Sequence, residues 1–503
     1  MSDDSVYKDS YESIVIGDDL TQSLLSLALQ VRHMSVLQTC TCNRGGLNQH
    51  FSLNHLGNHL NSEEFICNEL PDELPREFQQ YKPGEMSDFD GLSGFYLTKL
   101  PKNPIKNFSI IAESLFENVS PEEKEQILEP KGPNRWHFTT YPLLCTYASR
   151  YYRFANANFF RHVIKFSLHS PFYCLRICTG SPELVSIPSD RTELFRMKSL
   201  TLRDKRELGR IVQSIANQDS PMLQDETPFT QLVSDGKVSA KMADALQSFS
   251  NSVCSQRPVS TGEVLTGVRK AGVLRGKNEF VHIYPRYSSN DIVQAISQRF
   301  CSFHGALNWM TPPVFVETKE NGFDVHFNAN KRIHTNSLFV SPSYCADSQY
   351  EYQFSVGIII SRENIFADSS THPVILGSSS DLDLFLVESD RNRSVPGGFF
   401  KYTFVGARST VETYLEFISG LMPSYACVYD YVTFTCGSTV PESVIVPDDH
   451  ELNIDAGFEK ALSAIRVFEN DENANLFTDQ LVSRVYEVDE PSEKFKIPDA
   501  LKE

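Results

Sequence analysis

The sequence has no long run of apolar residues. Hydrophobic residues make up 41% of the 503 residues, but the longest apolar stretch, Leu24 to Val31, is interrupted by Ser26 and Gln30. A membrane-spanning helix needs about 20 consecutive apolar residues. The first residues, Met-Ser-Asp-Asp, contain neither the basic charge nor the apolar stretch of a secretory signal. We therefore expect neither a membrane span nor secretion.

Basic charge is also scarce. The chain has 46 Lys and Arg residues against 64 Asp and Glu residues, a net charge of −18. A surface of that sign repels nucleic acid and anionic lipid and attracts basic partners. The eleven cysteines are irregularly spaced, which favours a reduced, cytosolic chain over a disulfide framework. Cys40 and Cys42 have no second pair at metal-ligand spacing, so we interpret them as packing residues rather than a metal or redox site.

Sequence signatures of catalysis are missing as well. The chain contains no Gly-x-Ser-x-Gly, no His-Glu-x-x-His and no phosphate-binding P-loop. His50 and His55 lie in a polar stretch that is more typical of a loop or a helix face than of a zinc site. We therefore predict no catalytic residue and no metal ligand.

The chain begins with a strand-turn-helix pattern. Tyr11 to Gly17 is typical of a buried strand, and the apolar spacing from Leu20 to Leu29 predicts a helix. Dinucleotide-binding sheets begin in this way, with G-x-G-x-x-G at the turn. Here the turn instead contains Gly17, Asp18, Asp19 and Gln22. Because two carboxylates replace backbone that must approach phosphate, we predict that no flavin or nicotinamide cofactor binds.

A second strand, Ser35-Val-Leu-Gln, is followed by the Gly45-Gly46 turn. Together with the first unit, this opening resembles the Rab GDP-dissociation inhibitor and Rab escort protein superfamily, which resembles a flavoprotein that has lost its flavin. The resemblance implies a mixed α/β (α+β) fold: a flavoprotein-like, FAD/NAD(P)-binding-like sheet domain with an inserted smaller α-helical domain.

The most specific stretch is Ile187-Pro-Ser-Asp-Arg-Thr-Glu-Leu-Phe195-Arg-Met-Lys-Ser-Leu-Thr-Leu-Arg-Asp-Lys-Arg206. It resembles the family pattern Val-Pro-x-x-Arg-x-x-Val-Phe-x-x-Lys-x-Leu-Thr-x-x-Glu-Lys-Arg. Thr201 and Asp204 suggest an imperfect capping box for the following helix. In escort proteins a Phe and an Arg at this spacing dock on the prenyltransferase, which implies that Phe195 and Arg206 are transferase-binding residues. The alternative is a core Phe195 and a solvated Arg206.

The resemblance also implies a Rab platform. Asn134 to Leu144 is similar to a family segment on the Rab-binding face, and Phe280 to Gly305 is similar to another. Asp291 keeps an acidic contact, whereas Gln298 stands where the family has Arg, and Arg44 stands where it has Tyr. The implied Rab-binding residues are Arg44, Arg135, Tyr287, Asp291, Gln294, Gln298 and Arg299.

The resemblance, taken with the composition of the segments, implies three parts of the chain. Residues 1–188 form the first part of a Rab-binding domain, interrupted at about 61–131 by an acidic, low-complexity insert that we interpret as partly disordered with one short helix. Residues 189–275 are a helical insert for transferase and prenyl contacts. Residues 276–503 return to the first domain as a strand-rich part with an acidic C-terminal region. Escort proteins carry a long acidic insert of this kind, whereas the inhibitors do not.

The resemblance thus implies a Rab escort protein, the non-catalytic accessory component A of Rab geranylgeranyltransferase. Its expected partners are GDP-bound Rab GTPases, the α/β transferase heterodimer and the geranylgeranyl groups of bound Rab. A Rab GDP-dissociation inhibitor that recycles prenylated Rabs is the alternative, and a flavin oxidoreductase is a remote one. The expected location is the cytosol with transient membrane association, with the nucleus as a second compartment.

Overall fold

The structure is a computed structural model of the chain. It describes residues 8–17, 19–39, 50–51, 89–98, 101–128, 130, 136, 138–139, 166–169, 172–178, 181–187, 191–198, 200–215, 220–247, 260–270, 282–285, 290–308, 313–365, 376–377, 384–389, 395–447 and 454–477.

The strands within these ranges are β1 Ser10–Ile16, β2 Val36–Thr39, β3 His50–Phe51, β4 Gly94–Tyr96, β5 Ile105–Ala112, β6 Phe138–Thr139, β7 Phe166–His169, β8 Phe172–Cys178, β9 Ser181–Ile187, β10 His282–Pro285, β11 Ala306–Asn308, β12 Phe315–Lys319, β13 Gly322–Asn328, β14 Lys331–Val340, β15 Gln349–Ser361, β16 Leu376–Gly377, β17 Leu384–Ser389, β18 Phe400–Gly406 and β19 Ser424–Thr435. The α-helices are α1 Leu20–Gln30, α2 Pro121–Leu128, α3 Arg191–Arg196, α4 Leu202–Ser214, α5 Phe229–Ser234, α6 Ala240–Gln247, α7 Thr261–Lys270, α8 Asn290–Ser302, α9 Arg408–Ser419 and α10 Ile454–Glu469.

A seven-stranded sheet carries the dinucleotide-type half of the fold. Its strand order is β11-β2-β1-β14-β13-β12-β4. The strands β11, β2, β1 and β14 run parallel, whereas β13, β12 and β4 add an antiparallel edge. Helix α1 packs against α8 and α10, and Gly457 of α10 lets the two backbones approach over Leu20. The predicted β1-α1-β2 unit is confirmed.

A second sheet has six strands in the order β16-β17-β18-β15-β19-β5, and its pairs are antiparallel. Helix α9 packs on one face and buries Val411, Leu415 and Ile418 against Ile359 and Phe404. The sequence predicted a strand-rich region beyond residue 310, and the strands are present: β12, β13 and β14 join the seven-stranded sheet, and β15 to β19 build the second sheet with β5. The assignment of this region to the first domain stays a prediction.

The segment 61–131, predicted to be a partly disordered insert with one short helix, also contains two strands where it is described. Strand β4 joins the seven-stranded sheet and β5 joins the six-stranded sheet. The short helix is present as α2. The insert therefore contributes an edge strand to each sheet, and residues 52–88 lie outside the described part.

Helices α3 to α7 occupy the described part of 189–275, as the sequence predicted. Their shared core contains Leu208 and Ile211 of α4, its C-cap Ile215 and, from the other helices, Phe229, Met242, Leu246, Val264, Leu265 and Val268. The predicted β8-β9 hairpin precedes them. The domain boundaries themselves stay a prediction. None of the helices in the described ranges is both long enough and apolar enough to cross a membrane.

Candidate functional site

The turn after β1 lies where a dinucleotide-binding sheet holds a pyrophosphate. Gly17 adopts a φ of 128°, a conformation that favours glycine. A Cβ atom at Gly17 would lie 2.9 Å from Cβ of Ser341 and 3.0 Å from Cγ of Gln22. Glycine is therefore required here by the side chains already packed around the turn.

Asp19 is the N-cap of α1. Its Oδ1 accepts a hydrogen bond of 3.0 Å from the backbone N–H of Gln22, and the residue is only 3% exposed. Burial raises the pKa of Asp19 to about 6, against the opposing effects of the backbone N–H groups of Gln22 and Thr21 and the charge of Lys460. The helix terminus that would bind a phosphate therefore already holds a carboxylate.

Two glutamine side chains also pack against this turn. The side chain of Gln22 lies beside Gly17. Gln38, at the end of β2, donates from Nε2 to the Gly17 carbonyl at 2.9 Å. Both glutamines are buried. A buried carboxylate and two buried amide side chains thus pack around the turn at which a dinucleotide-binding sheet holds its pyrophosphate, a lining that does not suit an anionic group.

The predicted transferase pair lies on α3 and α4. Phe195 is 75% exposed, although its neighbour Leu194 is buried. Leu202, at the start of α4, is 67% exposed, and Arg206 follows one turn later on the same helix and is exposed as well. We call Phe195, Leu202 and Arg206 the α3–α4 patch. The alternative in which Phe195 is a core residue is wrong.

Local contacts hold the α3–α4 patch in place. Lys205 donates from Nζ to the carbonyl of Phe195 at 2.9 Å, which ties the end of α3 to the first turn of α4. The predicted capping box is confirmed: the N–H of Asp204 donates to the Thr201 hydroxyl, and the N–H of Thr201 donates to the Asp204 carboxylate. Leu202 was not predicted as part of the site. The sequence could have indicated that Leu202 is exposed, because it lies out of phase with the buried residues of α4.

The residues of the predicted Rab platform are only partly described. Those outside the described residues are Arg44, Arg135 and Tyr287. Asp291 and Gln294 lie on α8, where only their backbone is described. Gln298 is exposed on the same helix, and the guanidinium of Arg299 stacks 4.7 Å from the ring centroid of Phe303. The Arg299 side chain therefore contacts Phe303 within the protein. Of the two platform side chains that are described, Gln298 is the one exposed to solvent.

The other polar candidates stay apart. Cys40, Cys42 and His55 lie outside the described residues, and His50 lies in β3, paired with Thr139 of β6. Among the described residues, no group of three or more His, Cys, Asp or Glu side chains could hold a metal ion.

Comparisons with known proteins agree on the fold. No protein-family model and no curated protein matches the sequence. Among solved structures, a Rab GDI from Plasmodium falciparum is similar over 93% of this chain and 100% of its own, at 12% identity and a TM-score of 0.61. An oxidoreductase from Methanosarcina mazei (91% and 99%, 10% identity, TM-score 0.48) and a putrescine oxidase (92% and 99%, 9% identity, TM-score 0.48) are also similar. The chain thus has the mixed α/β, FAD/NAD(P)-binding-like fold that the sequence predicted, and it shares this fold with a Rab GDI.

Proposed function

We propose that this protein is a Rab escort protein. It would bind newly made, GDP-bound Rab GTPases, present them to the Rab geranylgeranyltransferase heterodimer and keep the prenylated Rab soluble until membrane delivery. The fold shared with a Rab GDI supports the Rab-binding part of this proposal. The α3–α4 patch supports the transferase part.

The single observation that carries the proposal is the exposure of Phe195. Full burial of a Phe side chain is worth roughly 1.5–3 kcal/mol, so the 75% exposed Phe195 could gain much of that free energy in a partner's pocket. Aromatic residues and arginines dominate the binding energy of protein interfaces. Phe195 would fill a pocket of the transferase, and Arg206 would form charge-assisted hydrogen bonds beside it.

The proposed division of labour assigns the remaining surfaces. The Rab body would lie on the Rab platform formed by Arg44, Arg135, Tyr287, Asp291, Gln294, Gln298 and Arg299. The apolar core between α4 and α7 belongs to the region that would shelter the geranylgeranyl groups. One prenyl chain gives only marginal membrane binding and two give stable anchoring, so a doubly modified Rab needs such a carrier in the cytosol.

We further propose that the protein is not an enzyme and uses no cofactor. Asp19 and the buried glutamines around Gly17 support this, since they occupy the turn that a flavin would need. The protein would act as an accessory subunit that positions the Rab C-terminus and breaks no bond itself. Purified protein should release no flavin on denaturation, and stoichiometric flavin would refute this part of the proposal.

Binding measurements on matched variants test the proposal. Phe195→Ala and Arg206→Ala should each weaken binding to the transferase by roughly 30-fold, or about 2 kcal/mol, and leave Rab binding unchanged. Each variant has a control. Leu421→Ala truncates an exposed apolar side chain elsewhere and matches Phe195→Ala, and Arg332→Ala removes an exposed arginine from β14 and matches Arg206→Ala. A stable Phe195→Ala protein that binds the transferase at wild-type strength would contradict the proposal.

A Rab GDP-dissociation inhibitor is the second candidate, and the fold shared with a Rab GDI favours it. This function needs Rab binding and extraction of prenylated Rabs from membranes, without any transferase contact. Co-purification of Rabs without either transferase subunit, together with wild-type behaviour of Phe195→Ala, would support the inhibitor instead.

A further inference from the structure

Two cysteines meet at the junction of the two sheets. The Sγ atoms of Cys345 and Cys436 lie 2.8 Å apart, although the residues are separated by 91 positions in the sequence. A disulfide bond is about 2.05 Å long, so closure requires a movement of only about 0.8 Å. Cys345 is buried and Cys436 is partly exposed.

The chain crosses between the sheets twice at this place. Strand β14 of the first sheet ends at Val340, and the chain passes through Cys345 before β15 begins the second sheet at Gln349. On the return, β19 ends at Thr435, Cys436 follows, and Ile445 pairs with β14 again. Cys345 therefore lies on the outgoing connection and Cys436 on the returning one.

Other contacts hold the two connections together. Asp347 accepts a hydrogen bond of 3.1 Å from the backbone N–H of Thr439, and a Cβ atom at Gly437 would overlap Asp347. Gln349 and Thr435 are paired across β15 and β19. These contacts and the β15–β19 pairing hold the two connections side by side, which brings the sulfur atoms together.

Lys102 adds a further contact to the outgoing connection, and exposure distinguishes the two sulfur atoms. Lys102 donates from Nζ to the carbonyls of Ala346 at 2.9 Å and Ser348 at 2.8 Å. Burial lowers the pKa of Lys102, while Cys345 and Cys436 act in the opposite direction, so its charge is felt at both sulfur atoms. Cys436 is partly exposed whereas Cys345 is buried, so an oxidant in solution reaches Cys436 first.

We propose that Cys345 and Cys436 are a modification site: they form an intramolecular disulfide when the protein meets a disulfide oxidant such as oxidised glutathione. The Cys436 thiolate attacks one sulfur of the oxidant and releases one molecule of reduced glutathione. The Cys345 thiolate then attacks the Cys436 sulfur of the mixed disulfide and releases the second. The protein loses two protons and two electrons, and the oxidant gains both. The bond fastens the outgoing and returning connections and locks the two sheets together.

Peptide mapping of the full chain tests this site. The protein is equilibrated with excess oxidised glutathione, its remaining thiols are alkylated, and the non-reduced digest is examined by mass spectrometry. We expect a reductant-sensitive peptide pair that joins Cys345 to Cys436. The melting temperature should rise by on the order of 5 °C, because the bond closes a long loop in the unfolded chain.

Two variants serve as controls. Cys436→Ser should abolish both the cross-link and the thermal shift, with Cys436→Ala as a replacement if the serine variant is poorly folded. Cys301→Ser, which removes the exposed cysteine of α8, should leave both unchanged. Full alkylation of Cys345 and Cys436 after oxidation, or a glutathione adduct that persists on Cys436, would overturn the proposal. The outcome does not depend on whether the protein binds Rabs.

Discussion

Replacement of Asp19 by Asn should stabilise the protein at neutral pH. Asp19 carries a buried carboxylate whose pKa burial raises from 3.8 to about 6. Asn cannot ionise, but its side-chain oxygen can still accept the hydrogen bond from the backbone N–H of Gln22, and Asn is as good an N-cap as Asp. The substitution therefore removes the charge and keeps the cap.

The size and the pH dependence of the effect follow from the shift. One pKa unit corresponds to 1.36 kcal/mol, so ionised Asp19 costs the folded state about 3 kcal/mol. Because the folded pKa is raised, the stabilising effect of protonated Asp19 is fully present below pH 3.8 and is lost as the pH rises through about 6. The Asp19→Asn variant should thus exceed the wild type by up to about 3 kcal/mol above roughly pH 7 and match it near pH 4.

Urea unfolding of both proteins across this pH range measures the difference. Asp19→Ala separates the two roles of the side chain: it also removes the charge, but it loses the cap, so it should lie about 1 kcal/mol below Asp19→Asn at every pH. An Asp19→Asn variant that is less stable than the wild type at neutral pH, or whose advantage is the same at all pH values, would refute the reasoning.

Two further predictions concern buried charges of the sheets. Lys401→Met should destabilise the protein by about 3–5 kcal/mol in urea unfolding. The reason is that the Glu388 carboxylate, which lies 2.6 Å from the Lys401 ammonium group and is 1% exposed, loses this cation. A loss of stability below about 1 kcal/mol would contradict this prediction. Burial raises the pKa of Glu317, but hydrogen bonds from Lys319 and His326 lower it overall below 4.5. The wild type should therefore be more stable than Glu317→Gln above pH 4.5, and this difference in unfolding free energy should decline as the pH falls below 4.5. A difference that does not change with pH would contradict the prediction.

The parts of the fold that sequence reasoning predicted correctly are those defined by local pattern. Strand β1, helix α1 and strand β2 have continuous apolar residues or helical spacing, bounded by Gly17 and Asp19, and each was placed within one or two residues. The β8-β9 hairpin and the capping box of α4 were found in the same way. In each case the determining contacts lie only a few residues apart.

Strand β5 was missed because its pairing is not local. Its residues include Lys106, Asn107 and Ser109, and at this sheet edge only Ile105 is buried. The composition of the segment is therefore typical of a polar loop. Asn107 reaches its partner Asp430 across 323 positions of sequence. Such an edge strand is defined by the strand it joins, which the pattern of the segment itself does not indicate.

The candidate sites show the same limit. The lost glycine pattern predicted that the dinucleotide turn is occupied, but the bond from Gln38 to the Gly17 carbonyl joins two strands and could not be read from either one. Composition alone favoured a core position for Phe195, and only the resemblance pointed to the surface. The exposure of Leu202 could have been predicted from its position out of phase with the buried residues of α4, whereas the docking of α3 against α4 is not specified by the sequence.

The most direct test of the central claim is geranylgeranyl transfer to a GDP-bound Rab by the purified transferase, measured with and without this protein. We predict that geranylgeranyl incorporation requires the protein, and that a Rab with two C-terminal cysteines takes up two geranylgeranyl groups per molecule. Phe195→Ala should lower incorporation at limiting protein concentration, and a higher concentration should restore it, because the variant is weakened in transferase binding alone. Equal incorporation in the presence and absence of the protein would contradict the claim that it is an escort.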